Sequence, residues 1–488
     1  MTADRLLQGC RTTLAGLTFA VLGATAHAAT FDVVNIDLPG VGFNDTTPAL
    51  PVGGNAGTTV GEQRQIVFAK VAEIWGRKLR SDVPIQVLAT FDALNCTATS
   101  ATLGAAGAYN IYRDFPNADR TGTWYPSALA NKLTGVGLND NPDPFESADI
   151  IAFFNGNLGN PGCLTGVSFY LGIDGAAAAN QIDLLTTVLH EFGHGLGFQT
   201  FTRGDTGLQF GVSATDPAGF PSIWDHKMLD PQQRKTWDTM TPDERKVSAL
   251  APRNLVWNGK TVTRAAPRVL DRGTPELFIA GAGLAKFYMI GTASFGPLID
   301  KKTFLAAELA QVVDQADGRG LACVALDAAN AAAVSGKVAI IDRGSCAFTV
   351  KVKNAQLAGA KAVIIADNTF STPPPNLSGT DATITIPAVR ITQADGIEIK
   401  AALAVVPKPN FGAFAVLFDN PLKLAGADYM NRVYLFTPNP YQRGSSISHY
   451  DPLASPNLLM EPFATPNQAI AVSAPKDLTF ELLKDLGW

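Results

Sequence analysis

Residues 190–198 read HEFGHGLGF, a run whose residue types and spacing fit metal-assisted hydrolysis. Two histidines four apart stand one helical turn apart on one face, so both rings can reach a single ion. Glu191 projects beside them, where it can take a proton from a water that the ion polarises. The expected cofactor is Zn2+. A catalytic zinc takes three protein ligands and keeps one position for water, so a third ligand is required. Thr200 stands where many helix-borne sites of this shape place a third histidine, so the third ligand must come from farther along the chain. Beyond the motif and the N-terminal segment, the histidines are His226 and His449; an Asp or Glu could also serve.

The motif needs a helix to carry it. Ile182, Leu185, Leu189, Phe192 and Leu196 follow 3-4-3-4 spacing, which predicts one apolar stripe packed inward, with His190 and His194 turned away into a cleft. Gly193, Gly195 and Gly197 would each cost a helix interior about 1 kcal/mol against Ala. They predict a helix that stops at once and turns the chain sharply beside the metal. Upstream, a helix is expected over 62–79 with Ile66, Ala69, Val71, Ile74 and Trp75 on one side. Strands are expected over 85–91, 149–154 and 169–173, giving an α+β lobe.

Farther on, a helix is expected over 242–249, and a new unit begins between about 270 and 290. Within it, 338–341 and 363–365 read as buried strands flanking a helix with Phe348, Val352 and Ala355 on one face. That is a strand–helix–strand unit with a right-handed crossover. Thr392 and Asp395 form a capping pattern for a helix ending near Leu403. After 412 the composition shifts; 432–436 reads as a strand, and 478–486 as a final helix followed by Gly487 and Trp488.

Length and composition set the frame. The 488 residues suffice for two to four domains, and 17% charged with 46% hydrophobic residues is a globular balance. A formal charge of -5 with no basic patch argues against nucleic acid. Beyond the N-terminus no apolar run is long enough for a transmembrane segment. At the N-terminus, Arg5 and Arg11 precede the apolar run Leu14 to Ala24, and Ala26-His27-Ala28 offers small residues for cleavage. This resembles a secretory signal peptide and predicts a secreted protein, extracellular or periplasmic. Its removal takes Cys10 and His27 and leaves Cys96, Cys163, Cys323 and Cys346 in an oxidising compartment. Of the three pairings open to four cysteines, Cys96–Cys163 with Cys323–Cys346 keeps each bridge within one unit.

HEFGHGLGF, together with SHYD at 448–451, LLMEP at 458–462 and the terminal LTFELLKDLGW, resembles the leishmanolysin-type metzincins. These are secreted zinc endopeptidases whose third histidine lies far from the first two and precedes a methionine in a tight turn beneath the metal. The resemblance implies His190, His194 and His449 on zinc, Glu191 as general base, Met460 in the turn, and protein or peptide substrates. His226, in WDHK, matches nothing in that pattern and reads as a surface or packed histidine. Tyr450, beside the third ligand, is a weak candidate for steadying an oxyanion, since an aromatic there more often packs.

The segment GKVAIIDRGSCAFTVKVKNAQLAGAKAVIIADN, 336–368, resembles a protease-associated (PA) domain, with Cys323–Cys346 as its internal bridge. Such domains accompany secreted proteases and some receptors and influence substrate access or binding. The implied organisation is a signal peptide (1–29), a metzincin-like zinc protease domain of α+β class (30–270 and 413–488), and an inserted α/β PA domain (271–412). The insertion accounts for the 255 residues between His194 and His449. Two rivals remain: a secreted peptide-binding protein with a structural metal site, and a zinc aminopeptidase carrying the same accessory domain. Glu191 counts against the first, and the lack of a second ligand cluster against the other.

Overall fold

The computed structural model describes residues 28–213, 216, 218–405, 412–465 and 468–488, so the expected signal peptide lies outside the described residues apart from Ala28 and Ala29. The first lobe holds β1 (Phe31–Asn35), α1 (Val60–Gly76), β2 (Ile85–Asp92), β3 (Gly104–Ala108) and β4 (Ile150–Asn155). Its sheet runs β1-β2-β4-β3; the first three strands are parallel, and β3 closes the edge antiparallel to β4. Sequence reading missed β3, because Gly-Ala-Ala-Gly-Ala carries no β-branched or aromatic residue to mark a strand.

Thr59 and Glu62 cap α1 reciprocally, which starts the helix two residues before the expected position. Its buried side is Val67, Phe68, Val71 and Trp75, whereas Ile66 and Ile74 are half-buried and Ala69 is exposed. Phe68 decides the rotation, because its ring packs 4.7, 5.0 and 6.0 Å from those of Phe43, Phe154 and Phe192. Burying the largest rings outweighs lining up the greatest number of smaller apolar side chains.

β5 (Ser168–Tyr170) and β6 (Gln181–Asp183) pair with each other in a separate two-stranded sheet, so the strand expected at 169–173 is shorter and stands apart from the main sheet. Directly after β6 comes α2 (Leu184–Gly195), the helix of the histidine motif. Asp183 caps it by accepting the Thr186 N–H at 3.0 Å. Ile182, expected as the first residue of the helical stripe, therefore belongs to β6. Leu185, Leu189, Phe192 and Leu196 are fully buried, as the spacing predicts. The two helices lie side by side, with the Trp75 indole N–H donating to the Leu189 carbonyl at 3.3 Å.

After α3 (Pro242–Ser248) the chain enters a larger sheet. Its strands are β7 (Pro275–Gly281), β8 (Leu284–Tyr288), β9 (Gly291–Thr292), β10 (Phe304–Gln311), β11 (Val338–Asp342), β12 (Ala362–Ala366), β13 (Ala388–Ile391) and β14 (Phe414–Asp419). The two longer helices of this unit are α4 (Phe348–Leu357) and α5 (Gln393–Ala404), and a shorter one spans Ala328–Val334. The order is β8-β7-β14-β10-β11-β12-β13-β9, with β11, β12 and β13 parallel and buried along their length. Thr392 caps α5 as expected, accepting from Asp395 N–H at 3.1 Å. The boundary expected at 412 shifts, because β14 pairs with both β7 and β10 and so belongs to this sheet. Both expected disulfides, Cys96–Cys163 and Cys323–Cys346, are formed.

The returning segment does not contain the strand expected at 432–436. Val433, Tyr434 and Leu435 each make a single bridge, to Ala427, Val256 and Tyr450, so three segments share them one residue at a time. The chain finishes with α6 (Thr479–Leu486). Among the described residues no helix is long and apolar enough to cross a membrane.

Gly195 shows how tightly α2 is seated: a β-carbon there would lie 2.4 Å from Ile150 Cγ2 on β4. Helix propensity alone would make Gly195→Ala stabilising by about 1 kcal/mol, but overpacking costs about 1–3 kcal/mol. The expected result is a lower urea midpoint for Gly195→Ala. A higher midpoint would mean that the helix lifts freely off the sheet.

Candidate metal centre

The fold brings His190 and His194 of α2 against His449 of the returning segment. Their Nε2 atoms lie 3.1 Å (His190–His194), 3.2 Å (His190–His449) and 3.2 Å (His194–His449) apart. Each ring is oriented from behind. His190 Nδ1 contacts the Leu459 carbonyl at 2.7 Å, His194 Nδ1 the Phe198 carbonyl at 2.8 Å, and His449 Nδ1 the Ser445 carbonyl at 2.7 Å. A carbonyl only accepts, so all three Nδ1 atoms carry the hydrogen and donate it. In the neutral rings all three Nε2 lone pairs then face one another.

Burial keeps these rings neutral. It pulls His190 down to about 4 and, reinforced by the neighbouring His190 ring, His194 to about 3; His449 falls well below the usual histidine range for the same reasons. Three unprotonated nitrogens in van der Waals contact repel unless a cation lies between them. Tetrahedral zinc, with Zn–N of about 2.0–2.1 Å, would set its nitrogens roughly 3.3–3.4 Å apart, close to the spacing found. Among the described residues this is the one group of three His, Cys, Asp or Glu side chains spaced to hold a metal ion.

Glycines supply the close approaches around the centre. A β-carbon on Gly193 would meet Met460 Sδ at 2.7 Å, so the fully buried Met460 packs directly beneath the helix. Gly197, at φ +123°, turns the chain so that Phe198 N–H returns to the Gly193 carbonyl and the Phe198 carbonyl reaches His194. The Trp488 indole N–H donates to the Leu196 carbonyl at 2.8 Å, holding the end of the helix from the C-terminus.

Glu191 is 6% exposed and abuts the edge strand, where a β-carbon on Gly104 would sit 2.8 Å from Glu191 Cγ. Burial pushes its carboxyl up to about 8, while the Ala106 N–H pulls the other way. A cation beside it would favour the carboxylate and reverse the burial effect.

The remaining candidates fall elsewhere. His226 stands between Asp238 (Nδ1 to Oδ2, 2.7 Å) and the Thr123 hydroxyl (Nε2 to Oγ1, 3.1 Å), a packed histidine outside the cluster. Tyr450 is fully buried and donates its hydroxyl to the Leu478 carbonyl at 3.2 Å, which makes it a packing residue. Sequence reading missed Asp225, a buried carboxylate accepting from Thr200 and Thr202 hydroxyls at 2.6 Å and from Ser222 N–H at 2.8 Å. Thr200 N–H in turn reaches Ser448 Oγ at 3.3 Å, beside His449. No spacing signal marks an isolated Asp whose partners are scattered hydroxyls.

Comparison with known proteins divides the chain. Residues 306–399 match the PA domain family and residues 51–209 match a family described as SPBPB7E8-like. The chain therefore carries a PA domain. Curated relatives include vacuolar-sorting receptor 3 of Arabidopsis thaliana, 41% identical over 73 residues, and aminopeptidase YwaD of Bacillus subtilis (strain 168), 51% identical over 63 residues. These matches cover 13% and 12% of this chain, and 12% and 13% of those proteins. Among solved structures, an aminopeptidase from Aneurinibacillus sp. strain AM-1 matches with a TM-score of 0.23 at 26% identity, covering 31% of each chain.

The turn beneath the metal centre is itself held by buried acids: Glu461 accepts from Leu458 N–H and Asp477 from Leu459 N–H, both at 2.7 Å. Burial pushes the Glu461 carboxyl up to about 8, so the folded state holds that proton while the unfolded chain releases it near 4.5. A raised carboxyl pKa costs stability as pH rises from about 4.5 to about 8, at most about 1.4 kcal/mol per unit. Glu461→Gln removes this dependence. Its melting temperature relative to the parent should climb between pH 5 and pH 8, and a difference that stays flat would contradict the burial effect.

Proposed function

We propose that the chain is a secreted, zinc-dependent endopeptidase of the leishmanolysin-like metzincin type, with His190, His194 and His449 as zinc ligands and Glu191 as general base. The observation that carries this reading is the convergence of three Nε2 lone pairs with a buried carboxylate on the same helix. A zinc ion held by His190, His194 and His449 would supply Lewis acidity towards the scissile carbonyl and lower the pKa of water towards about 7. Glu191 accepts the proton of the attacking water and passes it to the leaving amine. Met460, Leu459 and Gly193 hold the helix and the first ligand from below, while Ser445 and Phe198 fix the other two rings.

The edge strand supports an endopeptidase. β3 is the outermost strand of its sheet and packs on Glu191 at Gly104 and on Gln199 at Gly107, where a β-carbon would meet the Gln199 amide oxygen at 3.1 Å. A substrate added beside β3 as an extended strand runs past Glu191 in both directions, which suits an internal peptide bond. The names of several relatives point instead to an aminopeptidase. Di-metal aminopeptidases use two ions about 3.5–4 Å apart, and the described residues offer one ligand cluster, which favours the single-zinc reading. Two disulfides support a secreted protein.

Purified protein should contain one zinc per chain and cleave casein, with activity lost to a chelator and restored by zinc. Glu191→Gln should keep the zinc while turnover falls by about 10²–10⁴-fold; near-parental cleavage would remove Glu191 from its role. His449→Ala should lose both zinc and activity by metal analysis and assay. Full zinc occupancy in that variant would exclude His449 as a ligand.

A further inference from the structure

Half of the insert's sheet, β8-β7-β14-β10, has one covered face and one face that is open except at its Glu276 end, where Lys423 and Asn420 bond that buried carboxylate. Leu277, Ile279, Ala307, Leu309, Ala415 and Leu417 turn inward and are buried. The alternate residues turn outward, and register aligns them across the strands. Phe287 stands opposite Phe278, Phe278 opposite Val416, and Val416 opposite Ala306. Phe418 stands opposite Phe304 and Phe414 opposite Ala280, in the flanking rows. Among the described residues, none of these five phenylalanines belongs to any of the three buried clusters. Phe287, Phe304 and Phe414 are 59%, 75% and 40% exposed, and the Phe278 and Phe287 rings pack 4.9 Å apart.

A second observation lies at the border of this face. β8 is the outermost strand, paired only with β7, and among the described residues no backbone hydrogen bond reaches its other side. An open strand edge next to an aromatic face is the geometry of strand addition, in which main-chain bonds give affinity and alternate side chains give selectivity. The charges nearby are already paired: Lys286 with Glu398 at 2.6 Å, and Lys337 with Glu308 at 2.7 Å.

We propose that this face and the β8 edge dock an extended, apolar-rich segment of an unfolded protein substrate, using residues other than those of the histidine cluster. The proposal rests on the endopeptidase reading for its purpose, though not for the binding itself. Area argues against a second copy as the occupant. With about 150–250 Å² per aromatic side chain, the three exposed rings offer roughly 350 Å², whereas a stable dimer buries about 800 Å² per partner. A single added strand does not need that area.

The test compares Phe287→Glu/Phe304→Glu with the parent on two substrates, a short fluorogenic peptide and reduced, carboxymethylated α-lactalbumin. Leu357→Asp, an exposed apolar position on α4, serves as control. The docking site predicts KM for the unfolded protein raised about tenfold with kcat unchanged, short-peptide kinetics unchanged, and no effect of Leu357→Asp. Phe287→Ser should shift KM in the same direction, which guards against a folding defect in the double variant. Unchanged KM, an equal loss on both substrates, or a parental dimer that the double variant converts to monomer would each overturn it. Should the parent cleave nothing, the endopeptidase reading fails by itself. Docking is then read from the anisotropy of labelled carboxymethylated α-lactalbumin on the Glu191→Gln protein, where about tenfold weaker binding after the double substitution supports it and equal binding overturns it.

Discussion

Three imidazoles are held with their bare nitrogens together, and that arrangement is unfavourable without a cation. Each ring is pinned by a carbonyl behind it, and the three carbonyls come from Leu459, Phe198 and Ser445. Two of them belong to the returning segment and one to the turn that Gly197 makes possible. Charging any ring would place a proton among the other two nitrogens with little solvent to stabilise it, which is why burial pulls all three histidines downward. The protein thus holds the rings neutral and aimed inward, and a divalent ion turns the mutual repulsion into binding energy. Much of the remaining architecture serves to keep those carbonyls in place.

The glycines of the motif illustrate what a sequence can and cannot disclose. Their cost in a helix signals that something other than helix stability selects them, and the sharp turn at Gly197 follows from that. Gly193 and Gly195 serve a different purpose, since they admit Met460 and Ile150 within distances no β-carbon tolerates. Those partners come from residues far away in sequence, so no local pattern names them. His449 illustrates the same divide. Spacing leaves His226, His449 and every carboxylate open, and the family resemblance at SHYD and LLMEP singles out His449, which the geometry places in the cluster. His226 carries a convincing polar shell of its own, in Asp238 and Thr123, but the shell packs a histidine rather than presenting it.

Strands were legible where β-branched and aromatic residues fill them, as at 85–92, 338–342 and 362–366. The edge strand at 104–108 was not, because closeness to Glu191 and Gln199 leaves room only for glycine at 104 and 107, and the alanines between carry no strand signal. A strand packed this closely therefore hides from propensity for a physical reason. The strand expected at 432–436 failed in the opposite way: its residues suit a strand, but three different segments claim them singly. Propensity reports what a residue tolerates, and tertiary context decides which partner it meets.

A long insertion between His194 and His449 looks expensive, and for an unstructured loop it would be. Closure entropy rises by about 0.6 kcal/mol per doubling of loop length, so stretching a ten-residue link to one of this size would cost about 3 kcal/mol. The insert avoids that cost because its two ends are already neighbours. Pro275 on β7 stands opposite Asp419 on β14, Gly273 N–H donates to the Lys423 carbonyl, and Ala425 N–H donates to that of Asp271. The chain leaves and rejoins the first lobe along a hydrogen-bonded two-strand stalk. To the metal centre, the linkage behaves like a short turn ending near Ala425, and the rest of the insert folds around its own sheet. That is why His449 can lie 255 residues from His194 in sequence while their nitrogens touch.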